Sequence, residues 1–168
     1  MSKKFDFTFD LSPKGVQQLV DNLQKYYREI VNCREDILDA LTKRALELVK
    51  QNIKATTHGT GELESSIQVE KVSKEIAKVY TDLFYAQFVE YGTGVIGKNK
   101  PHKNISESGW SYDINEHGEE GWVYKDKSGQ YFWTAGEEAH NFMYDTLVQL
   151  KEEYMTIARQ VLKERGII

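Results

Sequence analysis

From Val16 onward the apolar residues return every three or four positions: Val16, Leu19, Val20, Leu23, Tyr27, Ile30 and Val31, then Ile37, Leu38, Leu41, Ala45, Leu48 and Val49. That is the period of a helix with one face against a core. Ser12 followed by Pro13 supplies its start, a hydroxyl acceptor at the cap and a residue without an N–H in the first turn. The second stretch continues the phase of the first, but Arg34 falls where an apolar side chain belongs. The pattern therefore predicts a kink or short break around Asn32–Arg34, with Asn32 capping a second helix and Glu35 and Asp36 near its positive end. Ahead of all this, Phe5, Phe7, Phe9 and Leu11 alternate with polar residues, which predicts a strand over Met1–Leu11 and not a signal peptide.

Beyond the helical stretch the period changes. Thr56–Gly61 is a turn cluster, and Ile67–Val72 and Ile76–Tyr80 read as two short strands of an antiparallel hairpin joined at Ser73-Lys74. Val123–Tyr124 and Tyr131–Trp133 suggest a second hairpin around Ser128-Gly129. Polar residues and glycines dominate from Val95 to Gly129, a long excursion that includes the first strand of this hairpin, and Val95–Gln130 is expected to be the least ordered part of the chain. Thr134-Ala135-Gly136-Glu137 has the spacing of a capping box ahead of a stripe that runs from Ala139 through Phe142, Leu150 and Tyr154 to Leu162. Arg159, Lys163 and Arg165 suit the negative end of that helix, and Gly166 supplies its stop. The expected class is α+β, one domain over residues 1–168. A long N-terminal helical region and a long C-terminal helix pack on a small, mostly antiparallel sheet.

Composition narrows the function classes. A chain of 168 residues buries about 70% of its unfolded surface and holds a sizeable core without staples. Lys and Arg number 22 against 26 acidic residues, a net charge of -4 that gives no general attraction to phosphates, so nucleic acid is disfavoured as a main partner. Cys33 is the only cysteine, which excludes an internal disulfide and a thiolate metal cluster within one subunit and fits a reducing compartment or a redox-indifferent particle. No window reaches the roughly 18 apolar residues of a membrane span.

Candidate chemistry converges on Tyr85–Lys98. Gly92, Gly94 and Gly97 spell G-x-G-x-x-G, and Gly92, Gly97 and Lys98 spell most of a phosphate-binding loop, so a nucleotide-binding module or small enzyme using Gly92–Lys98 is the alternative reading. Its context argues against it. No βαβ unit surrounds the glycines, Asn99 stands where a Ser or Thr would reach magnesium, and Pro101 pushes Lys100 away from helical dihedrals. His58, His102, His117 and His140 share no metal-ligand spacing, and neither a G-x-S-x-G elbow nor an H-E-x-x-H helix is present. The charged pairs Glu137-Glu138 and Glu152-Glu153 read as solvated helix faces. Trp110, Tyr112, Trp122, Tyr124, Tyr131, Phe132 and Trp133 cluster in and after the excursion, as an interface awaiting a partner or as a satellite core.

The order of motifs resembles a known family. Thr60-Gly61-Glu62-Leu63 and Ser65-Ser66-Ile67 follow a helix, two strands come next, then Tyr85-Ala86 and Val89-Glu90-Tyr91-Gly92-Thr93-Gly94, and after a variable region Phe142-Met143 opens the last helix. In this the chain resembles the tail-completion, or head-to-tail joining, minor tail proteins of long-tailed bacteriophages and prophages, over about Leu11–Leu162. It departs from them at Ala139-His140-Asn141, where the family usually carries proline before the phenylalanine. The resemblance implies a non-enzymatic structural protein of the virion, without cofactor, metal, membrane or small-molecule substrate. Its implied partners are copies of itself in a ring and neighbouring tail and head-closure proteins. Its place is the head-tail junction, with the host cytoplasm as the site of assembly. Tyr85, Phe88, Glu90, Tyr91, Gly92, Thr93, Gly94, Trp110 and Trp122 are the candidate assembly interface. Phe88 and Tyr91 are expected to anchor the segment, while Glu90 faces a neighbouring chain or caps backbone groups of the loop.

Overall fold

A computed structural model describes residues 10–57, 59–112, 120–126 and 128–168. The expected strand over Met1–Leu11 lies outside the described residues except for Asp10 and Leu11, which are not strand; His58 and His117 lie outside them too. The helices are α1 (Pro13–Thr56), α2 (Glu62–Ser65), α3 (Ala86–Tyr91), α4 (Gly94–Asn99), α5 (Ile105–Ser108) and α6 (Phe142–Glu164). The strands are β1 (Gln68–Lys71), β2 (Ala77–Tyr80), β3 (Trp122–Lys125), β4 (Tyr131–Thr134) and the two-residue β5 (Gly136–Glu137). The chain is α+β, with long helices near both ends and two separate two-stranded sheets, β1-β2 and β3-β4.

The expected break in the first helix is absent: α1 runs unbroken for 44 residues. Ser12 caps it as the sequence predicts, its Oγ accepting the Gly15 N–H at 3.1 Å. Arg34 causes no interruption because it sits at the edge of the apolar face and Cys33 takes the buried position beside it. The Arg34 side chain turns outward, donating from Nη1 to Glu75 Oε1 at 2.6 Å and from Nε to the Val31 carbonyl at 3.3 Å. Arginine is a good helix former, and at the edge of an apolar stripe its stem lies along the surface while its head group reaches water and a partner.

A second expectation fails at the other end. Thr134–Glu137 is not a capping box, and α6 begins at Phe142. Thr134 closes β4, its Oγ1 accepts the Gly136 N–H at 3.0 Å, and β5 bridges back to Thr93 and Gly94 in antiparallel sense. Gly136 has φ +100, a left-handed value that interrupts any helix starting upstream of it. The stop is as predicted: Gly166 has φ +69, its N–H reaches the Lys163 carbonyl and that of Ile167 the Leu162 carbonyl, both at 2.9 Å, the pair of bonds that ends a helix on a left-handed glycine.

The chain divides into two compact units, residues 1–45 with 69–79 and 150–168, and residues 46–68 with 80–149. The first holds most of α1, the β1-β2 turn and the end of α6. Its buried apolar side chains include Cys33, Ala45, Ala158, Val161 and Ile167. Charged pairs surround them. Arg44 grips Glu153 through two bonds of 2.6 and 2.8 Å, Lys71 reaches Glu35 at 3.0 Å and Asp39 at 2.8 Å, and Arg165 meets Asp36 at 2.5 Å. The second unit is centred on Leu48, Val49, Ile53, Leu63, Ile67, Ala86 and Phe142, the last only 1% exposed.

Within that second unit the excursion is more structured than its composition predicts. Its described part contains most of α4, all of α5 and strand β3, which pairs with β4 in the expected hairpin, in the register Trp122↔Thr134 to Lys125↔Tyr131. Proline shapes it as expected. α4 ends at Asn99, and Lys100, ahead of Pro101, adopts φ -128 and ψ 68.

Candidate functional site

The segment Tyr85–Lys98 forms two short helices at a sharp corner, and the corner is built by glycine. α3 ends where Gly92 takes φ +78; Thr93 is extended; Gly94, φ +59, opens α4. A Cβ on Gly92 would stand 2.7 Å from the Ala139 nitrogen and the Glu137 oxygen, and one on Gly94 2.6 Å from the Ala135 oxygen. Gly97 is equally confined, 2.8 Å from the Gly92 carbonyl carbon. The spaces beside these glycines are therefore filled by the backbone of residues 135–139 and of the corner itself. The element before them is a helix and not the strand that a dinucleotide fold requires.

Glu90, 6% exposed, faces inward. Its Oε2 accepts the Met143 N–H at 2.8 Å, and its Oε1 accepts the Tyr144 N–H at 3.0 Å. Those are first-turn donors of α6, so the cap of the last helix comes from a side chain about fifty residues upstream. The positive end of α6 favours a carboxylate there. His102 Nε2 lies 3.0 Å from Glu90 Oε1, and the Asn104 N–H points at His102 Nδ1 at 3.1 Å. Since Nδ1 accepts, Nε2 carries the ring hydrogen and donates to the carboxylate. The carbonyls of Val89 and Glu90 accept the N–H groups of His140 and Asn141 at 3.0 and 3.2 Å, and Asn141 Oδ1 accepts the Lys103 N–H at 2.8 Å. Glu90 thus caps backbone groups, those of α6 and not those of its own loop.

Phe88 and Tyr91 pack among aromatic rings. Tyr91 stacks on Trp110 at 5.1 Å between ring centres and meets His102 at 4.5 Å; Phe88 is edge-on to Trp110 at 5.6 Å and to Phe84 at 5.3 Å. Tyr112 ties the cluster to the corner, donating its hydroxyl hydrogen to the Tyr91 carbonyl at 2.8 Å and accepting the His102 N–H at 3.2 Å. The Trp110 indole Nε1 is buried without an acceptor among the described residues. These rings and the glycine corner wall an open cleft of about 360 Å³, lined by Phe88, Gly92, Thr93, Gly94, Trp110, Ser111, Tyr112 and Trp122. Six of the nine candidate residues share that wall. The remaining aromatics part company with it: Tyr124 and Phe132 stack at 5.8 Å across the β3-β4 hairpin, and Tyr131 and Trp133 are exposed.

Tyr85 and Glu90 sit elsewhere, Glu90 under the corner and Tyr85 in a second cavity of about 470 Å³ lined in part by Gly61, Glu62, Leu63, Val89 and His140. The Tyr85 hydroxyl donates to Glu62 Oε2 at 3.0 Å. Burial, reinforced by that carboxylate, pushes the phenol above its ordinary value. The Thr60–Leu63 and Tyr85–Gly94 blocks, separate in sequence, therefore close one cavity together. Sequence reasoning missed His102, Asn141 and the Glu137–His140 pair, 2.7 Å apart. An isolated loop histidine and a lone asparagine carry no periodic signal that could have found them.

Residues 17–92, a little under half of the chain, match the family HK97-gp10_like, described as "Bacteriophage HK97-gp10, putative tail-component". No curated protein and no solved structure matches significantly. Among the described residues no helix is long and apolar enough to cross a membrane. The matched stretch begins in the first turns of α1 and ends on the glycine that forms the corner, and over that stretch the chain is similar to the HK97-gp10-like tail components of bacteriophages.

Proposed function

We propose that this chain is a non-enzymatic structural protein of a tailed phage or prophage, acting in tail completion or head-tail joining by ring-type assembly at the head-proximal end of the tail. The observation that carries the reading is the family match, whose final residues, Phe88 and Gly92, also wall the aromatic cleft. A cleft with a glycine corner, partly exposed rings and an indole donor that is buried without an acceptor among the described residues suits a partner that brings an apolar side chain and a hydrogen-bond acceptor. Phe88, Tyr91, Gly92, Thr93, Gly94, Trp110 and Trp122 are the contact region in this reading. Glu90 holds it in shape from beneath, and Tyr85 lines the second cavity. The partners are further copies of the chain and the adjoining tail and head-closure proteins, and closure of a ring requires heterologous contacts between copies.

The test is deletion of the gene from the phage or prophage that carries it. The expected result is filled heads and separate tails in electron micrographs, rescued by the wild-type gene and not by a Trp110→Ala, Trp122→Ala double variant that still folds. Normal infectious particles in its absence would overturn the reading.

A further inference from the structure

The first half of α1 carries more apolar surface than the described residues of its unit cover. Leu19, Tyr26 and Cys33, spaced by sevens, are partly or fully buried, while Val16, Val20, Leu23, Tyr27 and Ile30 lie between 38% and 69% exposed. At 100° per residue these five fall within an arc of about 80°. Their spacing is 4-3-4-3, the a/d repeat of a coiled coil, sustained from Val16 to Ile30. The repeat ends at the next a position, where Arg34 is engaged with Glu75 at 2.6 Å.

The flanks of this seam say what covers it. The e and g positions are Gln17, Leu19, Gln24, Tyr26, Val31 and Cys33, none of them charged. Lys14, Asp21, Lys25, Arg28 and Glu29 all fall at b, c or f, away from the seam. A basic or acidic partner helix would be recognised by complementary charges at e and g; uncharged flanks give it nothing to read and place no like charges in opposition between two copies. The exposed fractions amount to roughly 400 Å² of apolar surface, within the range of the largest patch on a monomer and about half of one partner's share of a stable interface.

We infer that the seam Val16–Ile30 is a self-association surface, covered by α1 of a second copy of this chain. It lies in the first unit and goes beyond the contact region proposed above, which lies in the second. Two heptads are short for a coiled coil, so the contact is concentration-dependent and forms where copies are gathered.

Sedimentation velocity on the full chain across a wide concentration range tests it. Reversible growth of a dimer or larger species is expected. Leu23→Glu should weaken that association at least tenfold, while Arg28→Glu, off the seam, should leave it unchanged; both positions are exposed, and circular dichroism verifies that the helix content persists. A chain that stays monomeric at every concentration overturns the inference, as does association that Leu23→Glu leaves intact. If the full chain is monomeric and a form lacking residues 1–9 associates, the seam belongs to the chain's own N-terminal segment and the inference also fails. None of these outcomes depends on whether the protein joins heads to tails.

Discussion

Glu90 satisfies three donors from two other segments, and removing it strands all three in a buried site. Glu90→Ala is expected to cost about 3 kcal/mol in urea unfolding, and Glu90→Gln less, because its carbonyl oxygen still accepts from one N–H of α6. The glycines permit a sharper comparison. Gly61 has φ +83 with open space around it, whereas Gly92 and Gly94 combine positive φ with backbone atoms where a Cβ would stand. Gly61→Ala should therefore cost about 1 kcal/mol, and Gly92→Ala or Gly94→Ala at least twice that in the same assay. The sequence showed that these glycines mattered but not why: three glycines before a lysine fit phosphate recognition as a string, and only the arrival of residues 135–139 shows that the open faces serve the chain's own backbone.

Among the elements, the two long helices were legible because their signal is periodic over many residues, and the hairpins because turn chemistry brackets β-rich runs. What escaped was set by tertiary contact. α1 continues through Arg34 because the buried position there belongs to Cys33, which leaves the Arg34 side chain free to turn outward to Glu75, forty-one residues away in sequence. α6 starts five residues beyond its apparent capping box because Thr134–Glu137 is recruited by Thr93 and Gly94 while Glu90 provides the cap. The pairing of Arg44 in α1 with Glu153 in α6 gives a test at this scale. The Arg44 bond holds the Glu153 carboxyl below its ordinary value of 4.5. Because folding lowers that pKa, the stability it contributes is present above the unfolded value and is lost as pH falls through the folded one. Glu153→Gln should lower Tm slightly at neutral pH and flatten its decline below about pH 4.5, measured by thermal melts in a pH series.

At the scale of the whole molecule, the chain carries its own reporters. All three tryptophans, Trp110, Trp122 and Trp133, lie in the second unit, and the only thiol, Cys33, lies in the first. Burial pushes the Cys33 thiol above its ordinary value, so it reacts slowly with disulfide reagents until its unit opens. Since α1 and α6 each continue unbroken through residues of both units, tryptophan fluorescence and thiol reactivity are expected to report one coincident urea transition. Two separated midpoints would show that the units unfold independently. The dependence of α6 on Glu90 has a further consequence during synthesis. The carboxylate leaves the ribosome about fifty residues before the N–H groups it serves, so a chain terminated between them holds, under the corner that shapes the aromatic cleft, a carboxylate with at most His102 as its donor and no cap to make. Such a fragment cannot present that wall correctly. A chain cut short before Tyr144 thus lacks both the donors and the helix that close the corner from below.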